Sequence, residues 1–102
     1  MIKLYNTNLE TNKLESVDTY TRGTWIHMVD PSEEEIKEVC QNVNIKEDFI
    51  RYALDNEEKA RIDVEDEDDT ILFIIDIPVT EKSQSGGYMY ATMPIGMIVV
   101  RD

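Results

Sequence analysis

The chain has 102 residues, of which 22 are acidic and 10 basic, so its net charge is −12. This length suffices for one hydrophobic core, and a hydrophobic content of 41% indicates a folded chain rather than a disordered acidic tail. The charge argues against nucleic acids and anionic membranes as partners, because their phosphates would be repelled. Small cations would instead be attracted.

Cysteine content and hydrophobic runs limit the cellular setting. Cys40 is the single cysteine, which excludes an internal disulfide framework and a thiolate zinc cluster and favours an intracellular protein. The longest apolar runs, at 71–75 and 97–100, are far shorter than the ~20 residues that cross a bilayer. We therefore expect no membrane span in these residues.

The first half of the chain predicts strands followed by two helices. Residues 1–22 are typical of a strand pair at a sheet edge, and 24–29 of a strand covered on both sides. Asp30 is expected to cap the next helix, with Pro31 at its first position and Glu33 completing a capping box. A second, shorter helix over 46–55 follows without an intervening strand.

The second half predicts a strand over 61–65 with one solvent-facing side, an acidic turn at 67–69 and an interior strand over 70–77. Pro78 is expected to end that strand, and Pro94 to interrupt the strand that begins at Tyr88. The fold class is predicted to be α/β: a mixed β-sheet with helices packed on it, two of them consecutive after the Trp-Ile strand.

Catalytic residues are not apparent. The only histidine, His27, alternates in phase with Trp25 and Val29 along a strand, which is more typical of a structural histidine than of a general base or metal ligand. We expect that the protein is not an enzyme.

Acidic residues are unusually dense between Asp55 and Asp69. One interpretation is a solvated, charge-rich face and turn. The other is a site for a hard divalent cation, because Mg²⁺ prefers oxygen ligands and, since it keeps several waters, needs only one or two carboxylates. A tight calcium loop is excluded by the lack of any glycine between Gly23 and Gly86.

A possible metal-binding geometry lies on the second helix. Asp48, Tyr52 and Asp55 are spaced i, i+4, i+7, which would place them on one outward face, opposite Phe49, if residues 46–55 are helical. The candidate metal ligands are Asp48, Asp55 and Glu58.

The order of these segments resembles the cytoplasmic amino-terminal domain of the CorA family of magnesium transporters. The resemblance covers roughly residues 23–101. It is carried by Thr24-Trp25-Ile26-His27-Met28-Val29-Asp30-Pro31, by the helix with Glu34-Glu35-Ile36, by 44–55, by Lys59-Ala60-Arg61-Ile62-Asp63 and by the apolar strand from Ile71 to Ile77.

The resemblance implies a function. Residues 1–102 would be a single cytoplasmic domain of an inner or plasma membrane protein, truncated before the stalk helix and two transmembrane helices. In that family the domain regulates a pentameric pore by binding Mg²⁺ weakly between neighbouring subunits. The expected partners are therefore the other subunits of a homo-oligomer and divalent cations, with no nucleic acid and with membrane contact only through the missing carboxyl-terminal part.

One position departs from the family pattern. Tyr52 stands where the family's sensing carboxylate falls, and a phenol with a pKa near 10 is a poor Mg²⁺ ligand at neutral pH. Either the neighbouring acids replace it, or sensing occurs elsewhere or not at all. A stand-alone acidic module that binds a basic protein through residues 55–69 is the alternative function, favoured if the gene ends at Asp102.

Overall fold

The computed structural model describes residues 1–67 and 69–101. The chain divides into two compact units, 1–44 and 45–102, each considered by itself. A single domain over the whole chain stays a prediction. The elements in chain order are β1 (Ile2–Asn8), β2 (Lys13–Val17), β3 (Trp25–Met28), α1 (Glu33–Asn42), α2 (Glu47–Leu54), β4 (Arg61–Glu65), β5 (Thr70–Lys82) and β6 (Tyr88–Val100).

The predicted α/β class with a mixed sheet is wrong. The described strands form two three-stranded sheets, ordered β2-β1-β3 and β4-β5-β6, and all their pairings are antiparallel. The described residues are mostly β with two short helices, which fits an α+β description only loosely. The reason is the connectivity: α1 and α2 follow each other directly, so neither links two parallel strands of one sheet as an α/β crossover does.

The first unit contains the predicted strand pair, but its helix begins later than expected. The N-cap of α1 is Ser32, whose hydroxyl accepts from the Glu35 backbone N–H at 3.2 Å while the Glu35 carboxylate accepts from the Ser32 backbone N–H at 2.9 Å. Asp30 instead has a positive φ of 44° and is no cap. The capping box therefore exists two residues downstream of its predicted place, and α1 buries Ile36 and Val39.

The second unit packs α2 against one face of the sheet β4-β5-β6. Phe49 forms a buried cluster with Leu72 and Ile74, and Tyr52 and Ile98 pack against its border. Burying each aliphatic side chain of this kind stabilises the fold by about 1.5–3 kcal/mol. This cluster fixes the side of the sheet on which α2 lies.

Neither proline ends its strand. β5 continues through Pro78 to Lys82, and β6 contains Pro94. Both are tolerated because a missing N–H costs nothing on an unpaired edge. β6 is an edge strand, and β4 pairs with β5 only as far as Ile74, so β5 has a free edge at Pro78.

Candidate functional site

The three predicted metal ligands lie on α2 and on the segment that connects it to β4. The helix is amphipathic, and its Phe49 side faces the core. Its first turn carries Glu47 and Asp48, where carboxylates are favourable near the positive end of the helix dipole. Glu47 pairs with Arg51 one turn later, with 2.6 Å between Oε1 and the guanidinium nitrogen. Asp48 is solvent-exposed on this turn.

Asp55 does not share a helical face with Asp48. The helix ends at Leu54, and Asp55 is its C-cap with an extended backbone, φ −88° and ψ 114°. The Asp55 carboxylate turns back to accept the backbone N–H of Glu57 at 2.9 Å. About seven residues at a rise of ~1.5 Å each also separate Asp48 and Asp55 along the axis, so the two carboxylates mark opposite ends of α2.

Glu58 belongs to an ion-pair cluster that has Arg61 at its centre. The Arg61 guanidinium donates to the Glu58 carboxylate and, at 2.8 Å, to Asp63 Oδ2. It also lies over the Tyr52 ring, 5.2 Å from its centroid. Hydrogen bonds to Asp63 and then to Glu58 raise the pKa of Arg61. A cation that bound Glu58 would have to compete with this guanidinium.

Tyr52 is not on an outward metal-binding face. It is half-buried beside the Phe49, Leu72 and Ile74 cluster, and its ring centroid is 6.4 Å from that of Phe49. The expected grouping of Asp48, Tyr52 and Asp55 on one face opposite Phe49 is therefore wrong. Tyr52 contacts both the core cluster and Arg61. This packing accounts for a tyrosine at this position without a role in metal binding.

The three predicted ligands do not converge within one chain. Among residues 1–67 and 69–101, no group of three or more His, Cys, Asp or Glu side chains could hold a metal ion. Part of the predicted acidic turn, Asp68, lies outside the described residues. A cation held by this chain through the described side chains would have one or two protein ligands and would otherwise keep its water.

The role of Arg61 was not predicted, although the sequence contains a signal for it. Arg61, Asp63 and Glu65 alternate with Ile62 and Val64, which indicated a strand with one solvent-facing side. The structure reverses the expected sides: the charged residues are half-buried towards α2, while Ile62 and Val64 are 64% and 63% exposed. Arg61 pairs with Asp63, and Lys46 pairs with Glu65 at 3.0 Å. These ion pairs allow the charged side of the strand, rather than the apolar side, to be covered.

The arrangement of these elements defines a CorA-like fold. The solved structure that shows this is the complete structure of the CorA magnesium transporter from Methanocaldococcus jannaschii, with a TM-score of 0.74 and 18% sequence identity over 99% of this chain. The chain spans 30% of the length of that transporter. No protein-family model matches the sequence, and no curated protein matches it. At this identity the likeness establishes the fold alone.

No described helix is both long enough and apolar enough to cross a bilayer.

Proposed function

We propose that this chain is the regulatory cytoplasmic domain of a CorA-like divalent cation transporter and that it senses Mg²⁺ at contacts between subunits of a pentamer. The observation that carries the proposal is the fold match to a magnesium transporter over 99% of the chain. The role is one of binding and regulation, without a catalytic residue. Ion conduction would belong to other parts of such a transporter, since the chain corresponds to 30% of the matched protein.

Charge supports a cation-dependent contact between subunits. Each copy has a net charge of −12, so neighbouring copies repel one another unless cations lie between them. A divalent ion that bridges carboxylates of two copies stabilises the assembled state by RT ln(1 + [L]/Kd) per site. An affinity near ~1 mM, equivalent to ~4 kcal/mol at standard state, suits a sensor of abundant free magnesium, because a much tighter site would stay saturated.

The chain's own carboxylates have unequal roles in this proposal. Asp48 is exposed on the first turn of α2 and is the primary ligand. Asp55 and Glu58 contribute more weakly, because Asp55 accepts the Glu57 N–H and Glu58 is paired with Arg61. One copy thus offers too few ligands for strong binding, and the ion would be bound weakly and mainly where two copies meet.

The test is a thermal unfolding titration with MgCl₂ over about 0.1–20 mM, matched in ionic strength by NaCl, because any salt stabilises a chain of this charge by screening. We expect MgCl₂ to raise Tm more than NaCl does at the same ionic strength. The double variant Asp48→Asn, Asp55→Asn should lose this excess. Its control is Glu10→Gln with Asp18→Asn, which removes equal charge from exposed positions in the first unit.

Two results would contradict the proposal. If MgCl₂ raises Tm no more than NaCl at equal ionic strength, these residues hold no Mg²⁺ sensor, and the acidic interaction module becomes the better function. If both double variants keep the same Mg²⁺-specific excess, the ion binds at residues other than Asp48 and Asp55.

A further inference from the structure

The sheet β2-β1-β3 has one face that is open to solvent, here called the aromatic face. Strand alternation places Tyr5 on the side opposite to Leu4, which is buried with 8% of its surface exposed. The register adds the residues that stand opposite Lys3, Tyr5 and Thr7 on the two neighbouring strands. The aromatic face therefore consists of seven residues: Lys3, Tyr5, Thr7, Leu14, Ser16, Trp25 and His27.

Three rings contact one another on the aromatic face. The centroid of the Trp25 ring lies 5.3 Å from that of Tyr5 and 5.6 Å from that of His27, with interplanar angles of 42° and 40°. Trp25 is nevertheless 53% exposed. Its indole is thus held in place by a ring on the neighbouring strand and a ring on its own strand, while half of its surface stays available to a further planar group.

The aromatic face carries no negative charge, although the chain is strongly acidic. None of its seven residues is acidic, whereas 22 of the 102 residues of the chain are. Lys3 stands opposite His27, and its ammonium pairs with no carboxylate in the part of the chain that the structure describes. Diagonal neighbours across an antiparallel strand pair are about 7–8 Å apart, so the long Lys3 side chain can reach a group that is stacked on Trp25.

We propose that the aromatic face binds a mononucleotide, with the base stacked on Trp25 and the phosphate paired with Lys3. Any base can stack on an aromatic side chain, because every base has a π-face. The lysine ammonium is a common partner of phosphate groups. The observation that carries the proposal is an unpaired ammonium beside an exposed indole that two other rings support. This site lies outside the candidate metal ligands, so it can exist or fail whatever the outcome of the Mg²⁺ titration.

Size separates a mononucleotide from a nucleic acid, which the charge of the chain repels. Neighbouring strands are about 4.8 Å apart, so three strands make a face about 10 Å wide. This width is close to the Debye length, which is about 8 Å at physiological salt and limits the reach of charges outside the face. A mononucleotide fits within the face, where Lys3 is the charged residue. A polymer would extend further phosphates over the acidic surface around it.

Polar side chains favour a small ligand over a polypeptide segment as the occupant of this face. Lys3, Thr7 and Ser16 are exposed and share the face with the rings. A segment packed over the whole face would remove water from these three groups, and burying a polar group costs free energy unless it gains a hydrogen-bond partner. A mononucleotide covers the indole, gives Lys3 a partner and leaves the remaining polar groups in water.

Trp25 is the single tryptophan of the chain, so tryptophan fluorescence reports on this face alone. The experiment titrates adenosine 5′-monophosphate (AMP) over about 0.05–10 mM into the protein at constant ionic strength without divalent ions. Excitation at the red edge of the indole band avoids absorption by adenine. We expect saturable quenching of Trp25. Adenosine, which lacks the phosphate, should bind at least about threefold more weakly. Ribose 5-phosphate, which lacks the base, should not displace AMP over the same concentrations.

Two substitutions test the two halves of the site. Lys3→Gln should weaken AMP binding at least about threefold and leave adenosine binding unchanged. Its matched control, Lys13→Gln, removes the same charge from the opposite side of the sheet and should bind AMP as the unchanged protein does. Trp25→Leu should weaken AMP binding at least about fivefold, measured by equilibrium dialysis because the fluorescence is lost. Circular dichroism confirms folding, and Trp25→Phe replaces Trp25→Leu if that variant unfolds.

Three outcomes would overturn the proposal. The first is quenching that does not saturate at the highest AMP concentration. The second is an equal affinity for AMP in Lys3→Gln and Lys13→Gln, since the phosphate would then not be held by Lys3. The third is a Trp25 that acrylamide fails to quench in the ligand-free protein, because the aromatic face would then be covered by polypeptide rather than open to a nucleotide.

Discussion

Gly96 of β6 lies directly against Ala53 of α2. A Cβ atom on Gly96 would overlap the Ala53 Cβ and approach the Ala53 Cα to 3.2 Å. A glycine facing an alanine thus allows the helix to settle close to the sheet, which brings Phe49 into contact with Leu72 and Ile74. The smallest possible side chains at this crossing determine how deeply the core of the second unit is packed.

Replacing Gly96 by alanine should therefore destabilise the protein. The Gly96→Ala substitution forces α2 away from β6, and overpacking of this kind costs about 1–3 kcal/mol in free energy of unfolding. Urea denaturation measures the loss. Gly87→Ala is the control, because a Cβ there meets only the Ser83 hydroxyl at an ordinary 3.6 Å. Equal stability of the two variants would show that α2 and β6 are not in close contact.

Arg61 is expected to compete with cations for Glu58 and Asp63. Arg61→Gln removes the shared guanidinium, so the two carboxylates repel each other, Tm falls, and the stabilisation by MgCl₂ increases. Thermal unfolding with and without MgCl₂ measures both effects. Lys13→Gln is the control, because it removes the same charge from an exposed position of the first unit. An equal gain in Mg²⁺ response from both variants would contradict specific competition at Arg61.

The capping box makes the first unit sensitive to acid. The Ser32 backbone N–H, and then the Met1 amino group, lower the pKa of Glu35 below its ordinary 4.5. Because the folded-state pKa is the lower one, the ionised carboxylate stabilises the fold above pH 4.5, and this contribution disappears as pH falls through the lowered value. The stability difference between the unchanged protein and Glu35→Gln should thus be full at neutral pH and vanish in acid.

The control for this acid sensitivity is Glu34→Gln, on the same helical turn but outside the box. An equal dependence on pH in Glu34→Gln would show that the effect does not come from the capping box. Ser32→Ala removes the other half of the box and should cost about 0.5–2 kcal/mol at neutral pH. If the Glu35→Gln difference does not change with pH, the carboxylate does not accept the Ser32 N–H.

The Tyr20 hydroxyl should ionise at an unusually high pH. Burial, followed by the hydrogen bond that its hydroxyl donates to Glu38 at 3.1 Å, raises the pKa of Tyr20 from 10.0 to about 12. The raised value means that its contribution to folding is complete below pH 10 and is lost as pH rises towards 12.

Absorbance of tyrosinate, taken as the difference between the unchanged protein and Tyr20→Phe, isolates this group. Glu38→Gln should bring the transition to lower pH, because it removes the negative charge that opposes ionisation. A transition that Glu38→Gln leaves in place would mean that burial alone raises the pKa.

Local sequence patterns predicted most elements of the fold. The strand over 61–65 and the consecutive helices were recognised because their periodicity and end signals involve neighbouring residues. The prolines were misjudged, because whether Pro78 and Pro94 are tolerated depends on which strand edge is unpaired. Which strands share a sheet, and that all of their pairings are antiparallel, was likewise not predicted, since strand pairing joins residues far apart in sequence.

In the candidate site, too, local spacing predicted the position of a residue but not its contacts with distant residues. Asp48 could be placed on a helix from spacing alone, and it is exposed there. The contacts of Arg61 with Glu58 and Tyr52, and the packing of Tyr52 against Phe49, were not predicted, because helical spacing does not show which side chains of other segments lie beside α2.

The amino-acid sequence by itself determined the charge of −12 and indicated the approximate positions of most strands and helices, since these follow from composition and local periodicity. Only the tertiary structure decided that the charged side of β4 turns towards α2 and that Ile62 and Val64 remain exposed. The physical reason is that alternation defines two sides of a strand equally well, and only packing against another element selects the side that is covered.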